Sequence, residues 1–317
     1  MEFKNKKILI TGGAGFIGAN FVYKFLELGY SVTTLERKST NLWRLKKVLS
    51  NIKIYSPDLT DYKKTEACIK KIKPNIVLHF AAYGAYQRFQ QDIATTIDVN
   101  VKGTINLLHA CQKVGIECFI NTGSSSEYGI KNAPMKETDV LEPDNLYAIT
   151  KSAVTLYGQM MARKFNFPIA TIRPFAVYGY FEEPGRLIPD IIKAYLHHVP
   201  PKLSSPHSVR DFIFIEDLID GYMAVIKNIK KIKGEVFNLG SGKQDPVHTV
   251  VTIIKELNDS AIKPHYGSLK KAQTEPSMWV ADISKAQTLL KWKPAHTLEQ
   301  GLKKDIEWFK RNLAFYE

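Results

Sequence analysis

The 317-residue sequence contains no apolar run of about 18 residues, the length that a membrane-spanning helix requires, so no span is expected. Its charged start, Met1 to Lys7, runs directly into the short apolar segment Ile8-Leu9-Ile10. A secretory signal needs a longer apolar stretch and a small-residue cleavage site, so the expected location is the cytoplasm. Cysteine is scarce: Cys68, Cys111 and Cys118 are the three present. They form no CxxC pair, no histidine stands at metal-ligand spacing, and an odd count argues against a disulfide framework. They read as small apolar filler, and no metal is expected. Internal repeats and low-complexity stretches are also missing. The formal charge is +13, but the lysines are scattered in pairs such as Lys46-Lys47, Lys63-Lys64, Lys70-Lys71, Lys230-Lys231 and Lys303-Lys304. They do not alternate with aromatics in one stripe. Solvated helix faces explain them better than a specific nucleic-acid surface, although the excess would help attract an anionic substrate.

What is present is a hydrophobic content of 44%, enough to bury a sizeable core. In the first half, β-branched runs alternate with helical periods. Strands are expected at Lys7–Thr11, Ser31–Leu35, Ile52–Ser56, Ile76–Phe80, Cys118–Thr122 and Ile169–Arg173. Helices are expected at Phe16–Leu28, Asp61–Ile72, Ile97–Val114 and Leu146–Phe165. Such alternation predicts an α/β fold, a doubly wound parallel sheet of Rossmann type covered on both faces. After Tyr178 the texture changes. Pro and Gly cluster at Glu182-Glu183-Pro184-Gly185 and at Val199-Pro200-Pro201, around an expected helix Ile188–His197. The apolar runs Phe212–Ile215 and Val236–Leu239 are expected to return to the main sheet, and Leu298–Asn312 reads as an amphipathic helix. The expected organisation is a dinucleotide domain over residues 1–178, completed by about 208–242. A smaller, interleaved substrate-binding region then covers 179–207 and 243–317.

The first strand ends in Thr11-Gly12-Gly13-Ala14-Gly15-Phe16-Ile17-Gly18. Gly12 permits the tight turn, Gly15 lets backbone approach a pyrophosphate, and Gly18 lets the helix pack closely on the sheet. The helix start at Phe16 and Ile17 then presents N–H groups and positive dipole to phosphate. A glycine triplet alone is weak, but this one follows a strand and opens a helix. The second strand ends at Glu36, an acid suited to a ribose hydroxyl and hence to NAD. Arg37, Lys38, Ser39, Asn41 and Arg44 follow and would suit the 2′-phosphate of NADP. The cofactor is therefore NAD or NADP, with the carboxylate leaning towards NAD.

Tyr147-Ala148-Ile149-Thr150-Lys151 places a phenol and an ammonium one helical turn apart on one face. A free tyrosine titrates at about 10 and is a poor base at neutral pH; a neighbouring cation favours its phenolate. Upstream, Asn121-Thr122-Gly123-Ser124-Ser125-Ser126-Glu127-Tyr128-Gly129 leaves the fifth strand at its C-terminal end, where open α/β sheets bind ligands. A Ser124 hydroxyl there can orient a reacting oxygen. YxxxK by itself occurs by chance on helix surfaces. Together with the glycine turn and the serine run it marks Ser124, Tyr147 and Lys151 as a catalytic set.

On these residues the chain resembles the extended short-chain dehydrogenase/reductases, in the nucleotide-sugar epimerase/dehydratase family. The resemblance runs nearly the whole length: GGAGFIG, Asp58-Leu59, His79-Phe80-Ala81-Ala82, Asn100 in VNVKGT, SSSEYG, YAITK, RPFAVYG, RDFIFIEDL, FNLGSG and WVAD fall in family order. It implies hydride transfer at a sugar ring carbon, most simply C4, with Tyr147 moving the proton, Ser124 holding the oxygen and Lys151 supporting both. By position, Asp58 and Leu59 would flank the adenine, and Ala81, Ala82, Asn100 and Pro174 would border the cofactor. Arg210 would grip a substrate diphosphate, Asn238 would support the nucleotide pocket, and Ser125 and Ser126 would face the sugar. A homodimer is implied as well. There are departures. The acids that 4,6-dehydratases carry before the YG pair are replaced by Ser125 and Ser126, with Glu127 one place late, which disfavours dehydration. The asparagine of the RxFNVYG pattern is Ala176. The arginine that UDP-galactose 4-epimerases carry before a late ribose-binding acid is Ala272, with Glu275 as the acid. The AAYGAYQRFQQD and EEPGRLIP stretches resemble a branch that includes NDP-4-keto-6-deoxyhexose reductases of the paratose and abequose synthase kind. Arg88 and Arg186 in them are candidate phosphate contacts or plain surface residues. Epimerase and ketoreductase both stay open, dehydratase less so, and a non-catalytic dinucleotide sensor on the same fold is the rival from another class.

Overall fold

The computed structural model describes residues 6–85, 92–269 and 276–316. In chain order the first half runs β1 (Lys7–Thr11), α1 (Phe16–Glu27), β2 (Ser31–Leu35), β3 (Lys53–Tyr55), α2 (Tyr62–Ile72), β4 (Ile76–His79), α3 (Ile93–Ile97), α4 (Thr104–Val114), β5 (Cys118–Thr122), α5 (Leu146–Phe165) and β6 (Ile169–Pro174). It continues through β7 (Ala176–Tyr178), α6 (Leu187–Leu196), β8 (Lys202–Leu203), β9 (Val209–Arg210), β10 (Phe212–Phe214), α7 (Ile215–Asn228), β11 (Val236–Leu239), β12 (Asp245–Pro246), α8 (Val247–Leu257), β13 (His265–Tyr266) and α9 (Leu298–Asn312). Seven strands form one parallel sheet in the order β11-β6-β5-β4-β1-β2-β3. This is the doubly wound Rossmann arrangement, and its order reverses between β1 and β4.

The chain divides into two units: 1–129, 140–173 and 222–237 form the first, and 130–139, 174–221 and 238–317 the second. In the first, the inner strands are buried throughout, as strands covered on both faces must be. Leu9, Val77 and Phe119 pack with Leu107, Leu108, Met161 and Ile169 from helices and the next strand. Asp61 caps α2 by accepting from the Lys64 N–H, and Asn145 caps α5 by accepting from the Ala148 N–H. Cys111 and Cys118 are buried and Cys68 is half-buried.

Two sequence expectations change. The helix expected over Ile97–Val114 begins earlier, at Ile93, and is interrupted by a π-helical turn over Asp98–Gly103. Periodicity cannot show such a turn, because one inserted residue merely rotates the apolar stripe. The other change concerns Phe212–Ile215. Phe212–Phe214 does not return to the main sheet; it pairs in parallel with Ala176–Tyr178 in a two-stranded sheet of the second unit. Its apolar character serves an aromatic cluster with Tyr178 and Tyr180 instead. Val236–Leu239 does join the main sheet, at its edge.

The second unit buries two carboxyl groups without full hydrogen bonding. Glu182 Oε2 and Asp305 Oδ1 lack partners. Burial pushes both up to about 8, and Arg186, 3.6 Å from Glu182 and half-exposed, does not offset it. Folded, these groups hold protons that the unfolded chain releases above its ordinary carboxyl values. Between about pH 4 and pH 8 the folded state therefore binds more protons, and their contribution to stability falls as pH rises. Glu182→Gln and Asp305→Asn should melt close to wild type at pH 5 and higher than wild type at pH 8, by roughly 3 °C or more. Thermal melts at the two pH values check this; a gap independent of pH would contradict it.

Candidate active site

The strand registers bring three chain exits together. Thr11 pairs with His79, and His79 with Asn121, so β1, β4 and β5 end at one edge of the sheet. Gly12 leaves β1 with φ +69, and a Cβ on it would lie 2.9 Å from the Ala81 N of the neighbouring exit. A Cβ on Gly18 would fall on the Gly12 carbonyl oxygen and within 2.8 Å of Gly13 Cα. These positions need glycine because backbone meets backbone. Helix α1 starts from Gly15 with no side-chain cap. A helix start without a side-chain cap on a glycine turn suits an anion, so the residues present fit a dinucleotide pyrophosphate at Gly15, Phe16 and Ile17.

Glu36, buried at the end of β2, turns back over the glycine turn, where its Oε1 accepts the Ala14 N–H at 3.0 Å. Burial raises this carboxyl to about 7 against the Ala14 and Gly13 N–H groups and Arg37, which lower it. Arg44 is also buried. It donates to the Ala14 carbonyl at 3.2 Å, and its guanidinium lies 4.2 Å over the Trp43 ring. Arg37 is exposed. Asp58 accepts the Thr60 N–H and hydroxyl, which hold it below the usual carboxylate range. The Leu59 carbonyl takes a hydrogen bond from Asn106.

Asn100 sits in the π-helical turn, a frequent mark of functional positions. Its side-chain Oδ1 accepts the Tyr83 N–H at 2.7 Å, and its side-chain amide donates to the Tyr83 carbonyl and to Thr150 Oγ1. It thereby ties the segment after Ala81 and Ala82 to the helix of Tyr147 and Lys151. His79 is fully buried between Thr11 Oγ1 at 2.7 Å and Thr104 Oγ1 at 2.8 Å. Thr104 already donates to the Asn100 carbonyl, so it accepts from His79 Nε2–H; Nδ1 is then the acceptor. Burial first, and the Lys151 charge second, lower this imidazole to about 3, so it stays neutral.

Ser124, Tyr147 and Lys151, the candidate catalytic set, lie in the same unit. Tyr147, half-buried, stands in the first turn of α5, and the Lys151 ammonium lies 5.6 Å from its ring centroid. Lys151 is buried, donates to the Thr122 carbonyl at 2.8 Å, and is lowered by desolvation to about 8, with Glu127 acting in the opposite direction. Thr122 Oγ1 is in turn 2.9 Å from the Tyr222 hydroxyl. Ser124, extended at φ −159 and half-buried, starts the 3₁₀ turn Ser125–Tyr128; its Oγ accepts the Ser126 N–H at 3.1 Å. Ser125 is buried and Ser126 half-buried.

In the second unit, the described substrate candidates stand as follows. Arg210 ends β9 and donates to the Val209 carbonyl at 2.6 Å. Asn238 is fully buried; its N–H donates to Glu137 and its amide to the Met135 carbonyl at 2.8 Å. Arg186 precedes α6, half-exposed, beside Glu182. Pro174 ends β6. Glu275, Ala272 and Arg88 lie outside the described residues. The setting of Glu127 is what sequence reasoning did not foresee. It does not stand free as an acid: Oε2 accepts Nε and a terminal N–H of Arg173 at 2.9 and 2.8 Å, and Oε1 accepts the Ser124 N–H. Nothing in the sequence signals a pairing across 46 positions.

Residues 8–240 match the model of the NAD dependent epimerase/dehydratase family. The chain belongs to that family. It is thus an enzyme of the extended short-chain dehydrogenase/reductase kind, in an NAD-dependent family. It is 30% identical to a UDP-glucuronate 4-epimerase of Thermodesulfobacterium geofontis, over 96% of each chain. It is 28% identical to a dTDP-D-glucose 4,6-dehydratase of Mus musculus, over 97% of this chain and 89% of that one. Its fold matches the crystal structure of a UDP-glucuronic acid 4-epimerase from Bacillus cereus in complex with UDP-glucuronic acid and NAD, with a TM-score of 0.85 and 27% identity over 96% of this chain and 99% of that one. Among the described residues, no helix is long and apolar enough to cross a membrane.

Proposed function

We propose that this enzyme removes and returns hydride at C4 of a nucleotide-diphosphate sugar, inverting the carbon. The observation that carries this reading is the engagement of Glu127. With serines at 125 and 126 and Glu127 bound to Arg173 and the Ser124 N–H, this turn offers no carboxylic acid to a leaving hydroxyl, which elimination of water requires. Epimerisation requires only a group that moves one proton. A dinucleotide whose pyrophosphate would be held at the glycine turn, by Gly12, Gly15, Phe16, Ile17 and Gly18, would supply the hydride acceptor and donor. Tyr147 takes the hydroxyl proton and gives it back, Ser124 holds the sugar oxygen, and the Lys151 ammonium favours the phenolate. Glu36, buried at the ribose end of the turn, supports NAD over NADP, since a carboxylate repels a 2′-phosphate. Recognition of the nucleotide is assigned to Arg186, Arg210, Asn238 and Glu275. A homodimer is supported by apolar side chains exposed on two helices of one unit: Ile93 and Ile97 on α3, Ile149 and Leu156 on α5. NAD and a nucleotide sugar as partners fit the cytoplasm.

Native mass spectrometry of the purified protein should show a dimer retaining NAD. Incubated with a panel of UDP-, dTDP- and GDP-hexoses, the protein should interconvert one C4 pair by NMR with no net absorbance change at the nicotinamide band. Stoichiometric consumption of NAD(P)H with a 4-keto-6-deoxy sugar would replace this reading with a reductase. Formation of a 4-keto-6-deoxy sugar from a hexose would overturn it in favour of dehydration.

A further inference from the structure

Glu127 and Arg173 are almost completely buried, with side-chain exposures of 0% and 3%. A buried ion pair adds little stability beyond what apolar residues of the same size give, so its value lies in what it positions. What it positions here is the backbone between Thr122 and Ser124. Glu127 Oε1 accepts the Ser124 N–H at 2.9 Å and closes a capping box with the Ser124 side chain. The same carboxylate oxygen occupies the space that a Cβ on Gly123 would enter, and Thr171 Cγ2 is within 3.0 Å of that point. The Thr122 carbonyl, one peptide earlier, holds the Lys151 ammonium. Arg173 grips the other oxygen of Glu127 twice, and its guanidinium lies 4.5 Å over the Tyr128 ring. A single carboxylate thus holds the turn that presents Ser124, one peptide from the carbonyl that takes the Lys151 ammonium.

We propose that Glu127, clamped by Arg173, is a positioning residue that fixes the Thr122–Ser124 backbone and supplies the counter-charge keeping the Lys151 ammonium protonated beside Tyr147. The proposal rests on the reading of Ser124, Tyr147 and Lys151 as the reacting set, and it adds the element that keeps two of them in working order. The other groups around Lys151 do not offer a negative charge. His79, from β4, is neutral. Tyr147, on the same helix, is the phenol to be served. Tyr222, from α7, is pushed above the ordinary phenol range by burial. Arg173 is positive and spends its charge on Glu127. Desolvation draws the Lys151 ammonium down, and the Glu127 carboxylate opposes it.

The test is a pH titration of Lys151 in the full-length protein with bound NAD, read by NMR from 13Cε-labelled lysine and assigned with Lys151→Arg. Wild type should titrate below the ordinary lysine range. Glu127→Gln keeps an acceptor for the Ser124 N–H but removes the charge; Lys151 should then titrate about one pH unit lower, a tenfold fall in the ratio of ammonium to amine. If Arg173 left alone prevents folding, the double variant Glu127→Gln with Arg173→Met removes both charges at nearly constant volume. Its midpoint should also fall, by less, because a repulsive cation goes with the attractive anion. A folded variant whose Lys151 midpoint does not move would overturn the proposal, since a purely structural anchor changes melting temperature and leaves the midpoint alone. The titration needs no substrate. Wild-type failure on the nucleotide-sugar panel would therefore sink the C4 reading while leaving this result to stand or fall by itself.

Discussion

Tyr147→Phe is expected to abolish turnover, with kcat reduced about 10²- to 10⁴-fold, the range that one positioned acid/base group supplies. The substitution keeps the ring and removes one oxygen. Tyr147 occupies the first turn of α5, whose start is held by the Asn145 cap and whose next turn carries Lys151. Neither feature depends on the phenol oxygen, so the melting temperature and NAD retention should match wild type. The loss should therefore be in the chemical step rather than in binding, and KM should change little. Turnover of any panel sugar at wild-type rate by this variant would remove Tyr147 from the mechanism. A matching loss of NAD would show that the residue acts by holding the cofactor instead.

Gly18→Ala is expected to cost at least about 100-fold in NAD affinity, because the new methyl would meet main chain that cannot step aside. The Cβ would overlap the Gly12 carbonyl oxygen and approach Gly13 Cα and Gly12 C at 2.8 and 2.9 Å. Overpacking of this kind costs about 1–3 kcal/mol even where side chains can adjust. Here relief requires that α1 move away from β1, which would misdirect the N–H groups at Phe16 and Ile17 from a pyrophosphate. Calorimetric titration with NAD and a thermal melt would separate lost affinity from lost folding. Gly15→Ala provides the contrast: its Cβ would meet only the Gly12 carbonyl oxygen, at 3.2 Å, so the fold should survive with a smaller change in stability. Wild-type NAD affinity in Gly18→Ala would mean that the cofactor does not lie on this turn.

The glycine turn and the Tyr-Lys pair were legible because their chemistry is local. Gly12, Gly15 and Gly18 lie within seven residues, and Tyr147 and Lys151 share one helical face, so spacing alone aligns them. The Rossmann class was legible for a similar reason: strands buried on both faces read as continuous β-branched runs between helical periods. Phe212–Phe214 shows where this reasoning stops. An apolar strand announces that it will be buried, not which strand it will pair with, and the pairing with Ala176–Tyr178 depends on how the chain turns after Tyr178. The π-helical turn around Asn100 was hidden because one extra residue in a helix leaves composition and apolar content unchanged.

By itself, then, the order of residues determined the glycine turn, the sheet class and the placing of Tyr147 and Lys151 on one helical face, since each is written in neighbours along the chain. Only the tertiary structure decided that Glu127 belongs to Arg173, that Lys151 leans on the Thr122 carbonyl, and that His79 is neutral between two threonines. Those facts depend on burial and on contacts between residues 25 to 68 positions apart. Water sets the charge state of an exposed side chain in much the same way everywhere; inside the protein the neighbours set it, and distant neighbours are chosen by folding.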